Sequence, residues 1–258
     1  SAPFSSRRPS VPAITGVFKA WGASPTQTTV CAILMDDTLA CWGNNTYGTV
    51  GVDTGGAAVL APRAVSSTDS EFSTRAFTVV DASHETVCAL DTMGDVWCWG
   101  RNTIGELGVP TATTLARGSA ERVALGGAAV EISVGTRFTC ARRDTGAVFC
   151  WGQNVNGELG DGTNVPRDTP TRVTLPADDA TGIGAGSQHA CALRGDRVWC
   201  WGIGAVGQLG TGTAINSRTP LEATALGADV ASLHVIYNAT FVTSTSGAHR
   251  AVGSNDRG

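Results

Sequence analysis

Charge is scarce in this chain. Asp, Glu, Lys and Arg make up 16% of its 258 residues, and only one lysine, Lys19, is present. A net charge of −4 provides no basic field for nucleic acid and no acidic tail. No apolar run approaches the roughly 20 residues that span a bilayer, so membrane insertion is not expected. No basic-then-apolar leader opens the chain, so an exported protein would be expected to have this sequence in its mature form. Catalytic signatures are missing too. There is no Gly-x-Ser-x-Gly elbow, no phosphate-cradling glycine loop ending in lysine, and no His-Glu-x-x-His. His84, His189, His234 and His249 have no ligand-like spacing. These gaps argue against an enzyme and against any resident cofactor or metal.

What the chain does have is glycine, 33 residues of it, and eight cysteines in a repeated stretch. Cys-Ala-Leu at 88–90 is followed by Trp-Cys-Trp-Gly at 97–100, and the same order recurs at 191–202. Variants occupy 31–43 and 140–152. A period near 50 residues suggests propeller blades or solenoid units. Each copy carries a Gly/Ala-rich segment, the Cys-Ala-Leu segment, a turn rich in Asp and Gly, the Trp-Cys-Trp-Gly segment, and a later short segment such as Thr171–Leu175 or Glu121–Leu125. Short β-branched and aromatic segments bounded by Gly, Asp and Asn read as strands. Four per copy is a propeller blade.

The cysteines pair by position: Cys31 with Cys41, Cys88 with Cys98, Cys140 with Cys150, Cys191 with Cys200. Partners nine or ten positions apart favour disulfides, and hence an oxidising compartment, over zinc, which prefers C-x-x-C pairs. A degenerate fifth copy aligns Phe241 with the first cysteine and Ala251 with the second. Losing both together is the behaviour of partners within one copy. Alternation along the strand puts Cys98 on one face and Trp97 and Trp99 on the other.

These residues resemble the regulator of chromosome condensation repeat: His189-Ala190-Cys191-Ala192-Leu193, Val198-Trp199-Cys200-Trp201-Gly202, then Gly207-Gln208-Leu209-Gly210. Trp-Gly-x-Asn-x-x-Gly-Glu-Leu-Gly at 99–108 and 151–160 adds to it, as does the loop from Asp161-Gly162-Thr163 to Arg167-Asp168-Thr169-Pro170. The resemblance implies a β-propeller. Nuclear members usually have seven blades, whereas this chain has material for five. The nucleotide-exchange activity of the family's founding nuclear protein, which lacks this cysteine pairing, is not carried over, because the cysteine-bearing version resembles secreted proteins of the same repeat type.

The expected fold is all-β: one five-bladed β-propeller over residues 1–258, with four antiparallel strands per blade and four intrablade disulfides. The N-terminal strand, Arg8–Ala13, would complete the last blade and close the ring, leaving about seven residues as a flexible tail. The expected function is a non-enzymatic extracellular or cell-surface module that presents loops to a protein partner or to itself. Binding residues are sought in the least regular loops, at Val52, Val59, Leu60, Val109, Leu115 and Arg117. A lectin-like ring is the alternative, and a glycan-active enzyme is less favoured because only Asp81 and Glu131 stand out on the inner segments. Asn44 and Asn238 head glycosylation sequons. Asp36-Asp37, Asp178-Asp179 and Asp161 read as turn residues. His189 reads as a hydrogen-bonded structural residue, and the asparagines after Trp-Gly (Asn45, Asn102, Asn154, Asn255) as formers of left-handed turns.

Overall fold

The computed structural model describes residues 23–24, 27–111 and 116–254. They form five antiparallel sheets in chain order. The first holds β1 (Ala23–Ser24), β2 (Gln27–Ile33), β3 (Leu39–Gly43) and β4 (Val59–Ala64). The second holds β5 (Phe77–Ser83), β6 (Thr86–Asp91), β7 (Val96–Arg101) and β8 (Ala116–Arg122). The third comprises β9 (Ala129–Val134), β10 (Phe138–Arg143), β11 (Val148–Gly152) and β12 (Arg167–Arg172). The fourth comprises β13 (Ala180–Ala185), β14 (His189–Arg194), β15 (Arg197–Gly202) and β16 (Ser217–Glu222). The fifth has three strands: β17 (Val230–Ile236), β18 (Ala239–Ser244) and β19 (His249–Gly253). The proposed closing strand at residues 8–13, the seven-residue tail and Asn255 lie outside the described residues.

Each sheet is a meander, because every connection between neighbouring strands is short enough to return antiparallel. The hairpin turns show why. Gly94 and Gly146 sit at φ 83° and 85°, a region that strains any residue with a Cβ. Asp91 fixes its own turn by accepting from the amides of Met93 and Asp95 through Oδ1, and its Oδ2 accepts the Trp97 indole N–H at 3.0 Å.

The cysteine pairs lie directly opposite on the two middle strands of the first four sheets. All four are at disulfide distance, with Cα atoms 4.1 Å apart. Phe241 and Ala251 occupy the same register in the fifth sheet. The outer strands begin earlier than the sequence suggests. β12 ends at Arg172, and Val173 leaves the ladder to plug the core, donating its N–H to Val148.

The core is divided among the junctions between sheets. Cys31 and Cys41 of the first sheet pack with Trp97 and Trp99 of the second. Cys88 and Cys98 pack with Trp151 of the third, and Cys140 and Cys150 with Trp201 of the fourth. Cys191 and Cys200 pack with Val230 and Val242 of the fifth, and Val252 borders that cluster. The cystine face of each sheet thus meets the indole face of the next, as alternation along the strand requires. Among the described residues, four such clusters join five sheets, and none joins the fifth sheet to the first.

Candidate functional site

The loop after the third strand of each of the first four sheets contributes to one rim, and buried polar side chains hold it. Asn154 is fully buried. Its Oδ1 accepts from Leu159 N at 3.0 Å, and its amide group reaches Val165 O at 3.0 Å and Thr163 O at 3.2 Å. Asn45 and Asn102 repeat the arrangement toward Val50 N with Val52 O, and toward Leu107 N with Val109 O. None of the three has a left-handed backbone, which among the described non-glycine residues is found at Asp37, His84, Arg137 and Tyr237. The left-handed-turn reading of these asparagines is therefore corrected. They act through the side-chain amide, which satisfies backbone groups that the loop would otherwise bury unpaired. Gly204 replaces the asparagine in the fourth sheet for a different reason. A Cβ there would stand 1.9 Å from Ile215 O, and the Gly204 N–H itself donates to Asn216 Oδ1 at 3.0 Å.

The Glu or Gln of each Gly-Glu/Gln-Leu-Gly is buried as well. Glu158 accepts from Asn156 N at 2.8 Å and from Gln153 Nε2 at 3.1 Å, Glu106 from Ile104 N at 2.7 Å, and Gln208 from Val206 N at 2.9 Å. Their backbone carbonyls take a bond from the following sheet: Trp151 Nε1 to Glu106 O at 3.1 Å, Trp201 Nε1 to Glu158 O at 2.8 Å. Trp99 does the same to Thr49 O at 2.9 Å. In the fifth sheet Val252 stands at the tryptophan position, and Thr240 Oγ1 donates to Gln208 O at 2.9 Å. Each indole thereby latches a rim loop to the next sheet. The motif showed where these residues are but not that they are latches, because the acceptor lies about 45 residues away in sequence.

Of the loop residues singled out from the sequence whose side chains are described, Leu60 is strongly presented, at 94% exposed. Val59 is buried in β4, while Val52 and Val109 pack against the cores of the first and second junctions. Apolar side chains next to a junction complete its core. Leu115 lies outside the described residues, and Arg117 is described by its backbone pairing with Gly100. Asn238 is exposed. Asn44 is half-buried, with its side-chain oxygen accepting from Thr46 N at 2.9 Å.

The acidic pairs are engaged. Asp36 accepts from Thr38 Oγ1 at 2.6 Å, a bond that holds its carboxyl below the ordinary range. Asp178 pairs with Arg172 and Asp179 with Arg194. Asp161 accepts from Thr163 N at 2.9 Å and pairs with Arg167 at 3.1 Å. Among the described residues no group of three or more His, Cys, Asp and Glu could hold a metal ion, and no helix is long and apolar enough to cross a membrane.

The innermost strands β5, β9, β13 and β17 carry Asp81 and Glu131, which do not converge. Glu131 pairs with Arg142 at 2.8 Å. Asp81 spans the second junction, accepting from Ala82 N and Val134 N at 2.8 Å each, and burial raises its carboxyl above the usual range. Ser133 makes the equivalent contact one sheet later, accepting from Ala185 N at 3.0 Å. The acid–base candidate is thus a strap between sheets. His189 is fully buried, its Nε2 3.0 Å from Thr240 Oγ1. That hydroxyl gives its proton to Gln208 O, so the imidazole carries its own proton on Nε2. Burial lowers the His189 pKa to about 4.

Between the third and fourth rim loops lies a cleft of about 450 Å³, lined by Asn156, Asn164, Asn216, Ser217, Arg218 and Thr219 among others. Comparison with known proteins agrees with this repeated construction. Two descriptions of the regulator of chromosome condensation (RCC1) repeat match residues 145–193 and 129–158. Residues 129–193 are thus similar to RCC1 repeats. Human E3 ubiquitin-protein ligase HERC2 is 31% identical over 105 residues, 40% of this chain and 2% of that protein. The ultraviolet-B receptor UVR8 of Arabidopsis thaliana is 34% identical over 95 residues, 36% of this chain and 22% of that one. The crystal structure of Prp20p from Saccharomyces cerevisiae superposes with a TM-score of 0.74 at 20% identity, covering 89% of this chain and 56% of Prp20p. The fold is RCC1-like. The chain spans little more than half of that solved relative and a small part of the two curated ones.

Proposed function

We propose that this RCC1-type chain is a non-enzymatic binding module that presents its rim to a protein partner in an oxidising, extracellular setting. The observation that carries the reading is the contrast between frame and rim. The junctions repeat the same cystine-on-indole packing, while the loops above them differ in length and chemistry and are held by buried asparagines, Glu and Gln. Loops on a rigid scaffold are where recognition concentrates. The four cystines support export, since such bonds persist where thiols are kept oxidised. The Prp20p structure is titled for binding to Gsp1p and histones, which supports protein recognition by this fold. Asn238, exposed in the turn between β17 and β18, is a site for glycan attachment in a eukaryotic source, and Asn44 a poorer one because it is half-buried with its side-chain oxygen engaged.

The test is capture from the native extracellular medium on the immobilised oxidised chain. A second sample carries Leu60→Glu in this loop, at the exposed side chain, and keeps Val52 and Val59 in the junction. Retention of one protein by the parent and its loss from the loop variant supports the reading; equal retention by both, or none by either, contradicts it. One observation favours a carbohydrate partner as the second reading. The cleft at Asn156, Asn164, Asn216 and Arg218 is polar, and amide side chains suit sugar hydroxyls. Glycan-array binding lost on Arg218→Ala supports that alternative.

A further inference from the structure

The loops bordering the cleft between the third and fourth sheets present three aliphatic side chains to solvent. Val155 is 58%, Val165 54% and Ile215 53% exposed. Each is held there by its own backbone. Val155 O accepts from Asn164 Nδ2 at 2.9 Å, Val165 O accepts from buried Asn154 at 3.0 Å, and Ile215 O is packed against Gly204 too closely to admit a Cβ. Apolar side chains on a backbone fixed in this way lose little further freedom when covered. Val155 lines the cleft itself, while Val165 and Ile215 adjoin the lining residues Asn164 and Asn216 in sequence.

Arg218 on β16 brings charge to the same cleft. Register sets its place: Gly152 pairs with Arg167 and Gly202 with Ser217, so Asp168 and Arg218 hold equivalent positions one residue on. Each backs its Cα against a rim glycine, Gly105 and Gly157 respectively. At Asp168 the preceding rim loop returns, and Thr111 N donates to the carboxylate at 3.4 Å. At Arg218 that loop bonds the backbone instead, Gly162 N donating to Arg218 O at 2.9 Å. The Arg218 side chain is exposed and has no carboxylate among the described residues. Arg142, Arg167, Arg172, Arg194 and Arg197 of the same two sheets each have one. Asp161, beside the lining residue Gly162, is engaged by Arg167, Thr163 and Asn154.

We propose, on the reading of the rim as a protein-binding surface, that this cleft seats an acidic segment of the partner, with one Asp or Glu side chain on the Arg218 guanidinium and aliphatic neighbours against Val155. Complementary charge selects the partner and orients it. The guanidinium fork matches a carboxylate in two parallel hydrogen bonds. The fixed aliphatic side chains supply the apolar area that such a pair, exposed to water, lacks on its own. The asparagine amides suit the backbone of the bound segment. A sugar would use the amides too, but its apolar face stacks on aromatic rings, and none of the residues lining the cleft is aromatic.

The probe is a random peptide library displayed on phage, selected on the intact oxidised chain. The parent should enrich peptides that set Asp or Glu beside Val, Ile or Leu. For one such peptide, fluorescence anisotropy should show about tenfold weaker binding to Arg218→Glu, where attraction becomes repulsion, and binding about threefold weaker to Val155→Ser. The peptide with its acidic residue changed to Lys should regain affinity for Arg218→Glu, which rules out misfolding as the cause of the loss. Arg63→Glu, a charge reversal at an exposed arginine on β4, should bind the original peptide as the parent does. No enrichment, enrichment without an acidic residue, equal binding by Arg218→Glu, or no gain from the reversed peptide overturns the proposal. So does glycan-array binding that is lost on Arg218→Glu, which would give the cleft to a sugar. Capture of a protein that depends on Leu60, together with an empty peptide selection, overturns the cleft assignment while leaving protein binding by the rim in place.

Discussion

Replacing Asn154 by Ala tests the latch reading of the rim most sharply. The side chain is fully buried. Its oxygen satisfies Leu159 N, and its two amide hydrogens are shared among Val165 O, Thr163 O, Thr163 Oγ1 and Asp161 Oδ1. At most three full hydrogen bonds are lost, each worth about 1 kcal/mol net. The buried Leu159 amide is left without a partner, which adds about 1–2 kcal/mol. The variant should therefore be less stable by about 3–5 kcal/mol, a large share of the roughly 5–15 kcal/mol typical of a folded domain. Asn156→Ala is the control two residues away. Asn156 is half-buried, and its side chain gives up one bond, to Glu158 Oε1 at 3.0 Å, so the loss should be about 1 kcal/mol or less. Guanidinium unfolding with the disulfides intact, followed by tryptophan fluorescence, compares the two. If Asn154→Ala costs no more than Asn156→Ala, the asparagine is only a turn former and the account of the rim is wrong.

Three further outcomes follow from the junctions. Trp201→Phe removes the indole bond to Glu158 O between fully buried groups; it should cost about 1–3 kcal/mol in unfolding free energy, whereas the same change at half-buried Trp42, which donates no such bond, should cost less. Cys88→Ala with Cys98→Ala opens a bridge ten residues apart and should lower stability by about 2–3 kcal/mol without abolishing the fold, since the fifth sheet stands with Phe241 and Ala251 in those places. His189 couples stability to pH. Its pKa is about 4 in the folded chain against 6.5 unexposed to the fold. The unfolded chain binds the extra proton between those values, so stability is intact above about pH 6.5 and falls by about 3 kcal/mol as the pH drops to 4. His189→Phe, which copies Phe138 at the matching position of the third sheet, should flatten that slope. An unchanged slope in equilibrium unfolding between pH 4 and 7 would count against it.

Much of the frame was legible because it is written repeatedly. The joint replacement of two cysteines by Phe241 and Ala251 revealed which partners belong together, and strict alternation around Cys98 gave the two faces. The rim was less legible for a physical reason. Asn154 and Glu158 are polar residues in a glycine-rich loop, a composition equally compatible with a solvated turn. Their burial depends on the neighbouring sheet and on chain that returns several residues later, such as Val165 O. Nothing local marks an apolar loop residue such as Val59 or Val52 as packed against a junction. The junction that buries Val59 and half-buries Val52 is made with a sheet whose defining tryptophans, Trp97 and Trp99, lie about 40 residues on. Gly204 could not be told from an ordinary turn glycine until Ile215 O was found against it.

The account rests on sheets that are each stapled internally and stacked cystine face to indole face. Non-reducing peptide mapping of the native protein, with thiol labelling before digestion, tests this most directly. It should return four linkages, Cys31–Cys41, Cys88–Cys98, Cys140–Cys150 and Cys191–Cys200, and no labelled thiol. A linkage joining cysteines of two different sheets, or labelled cysteines in the folded chain, would contradict it.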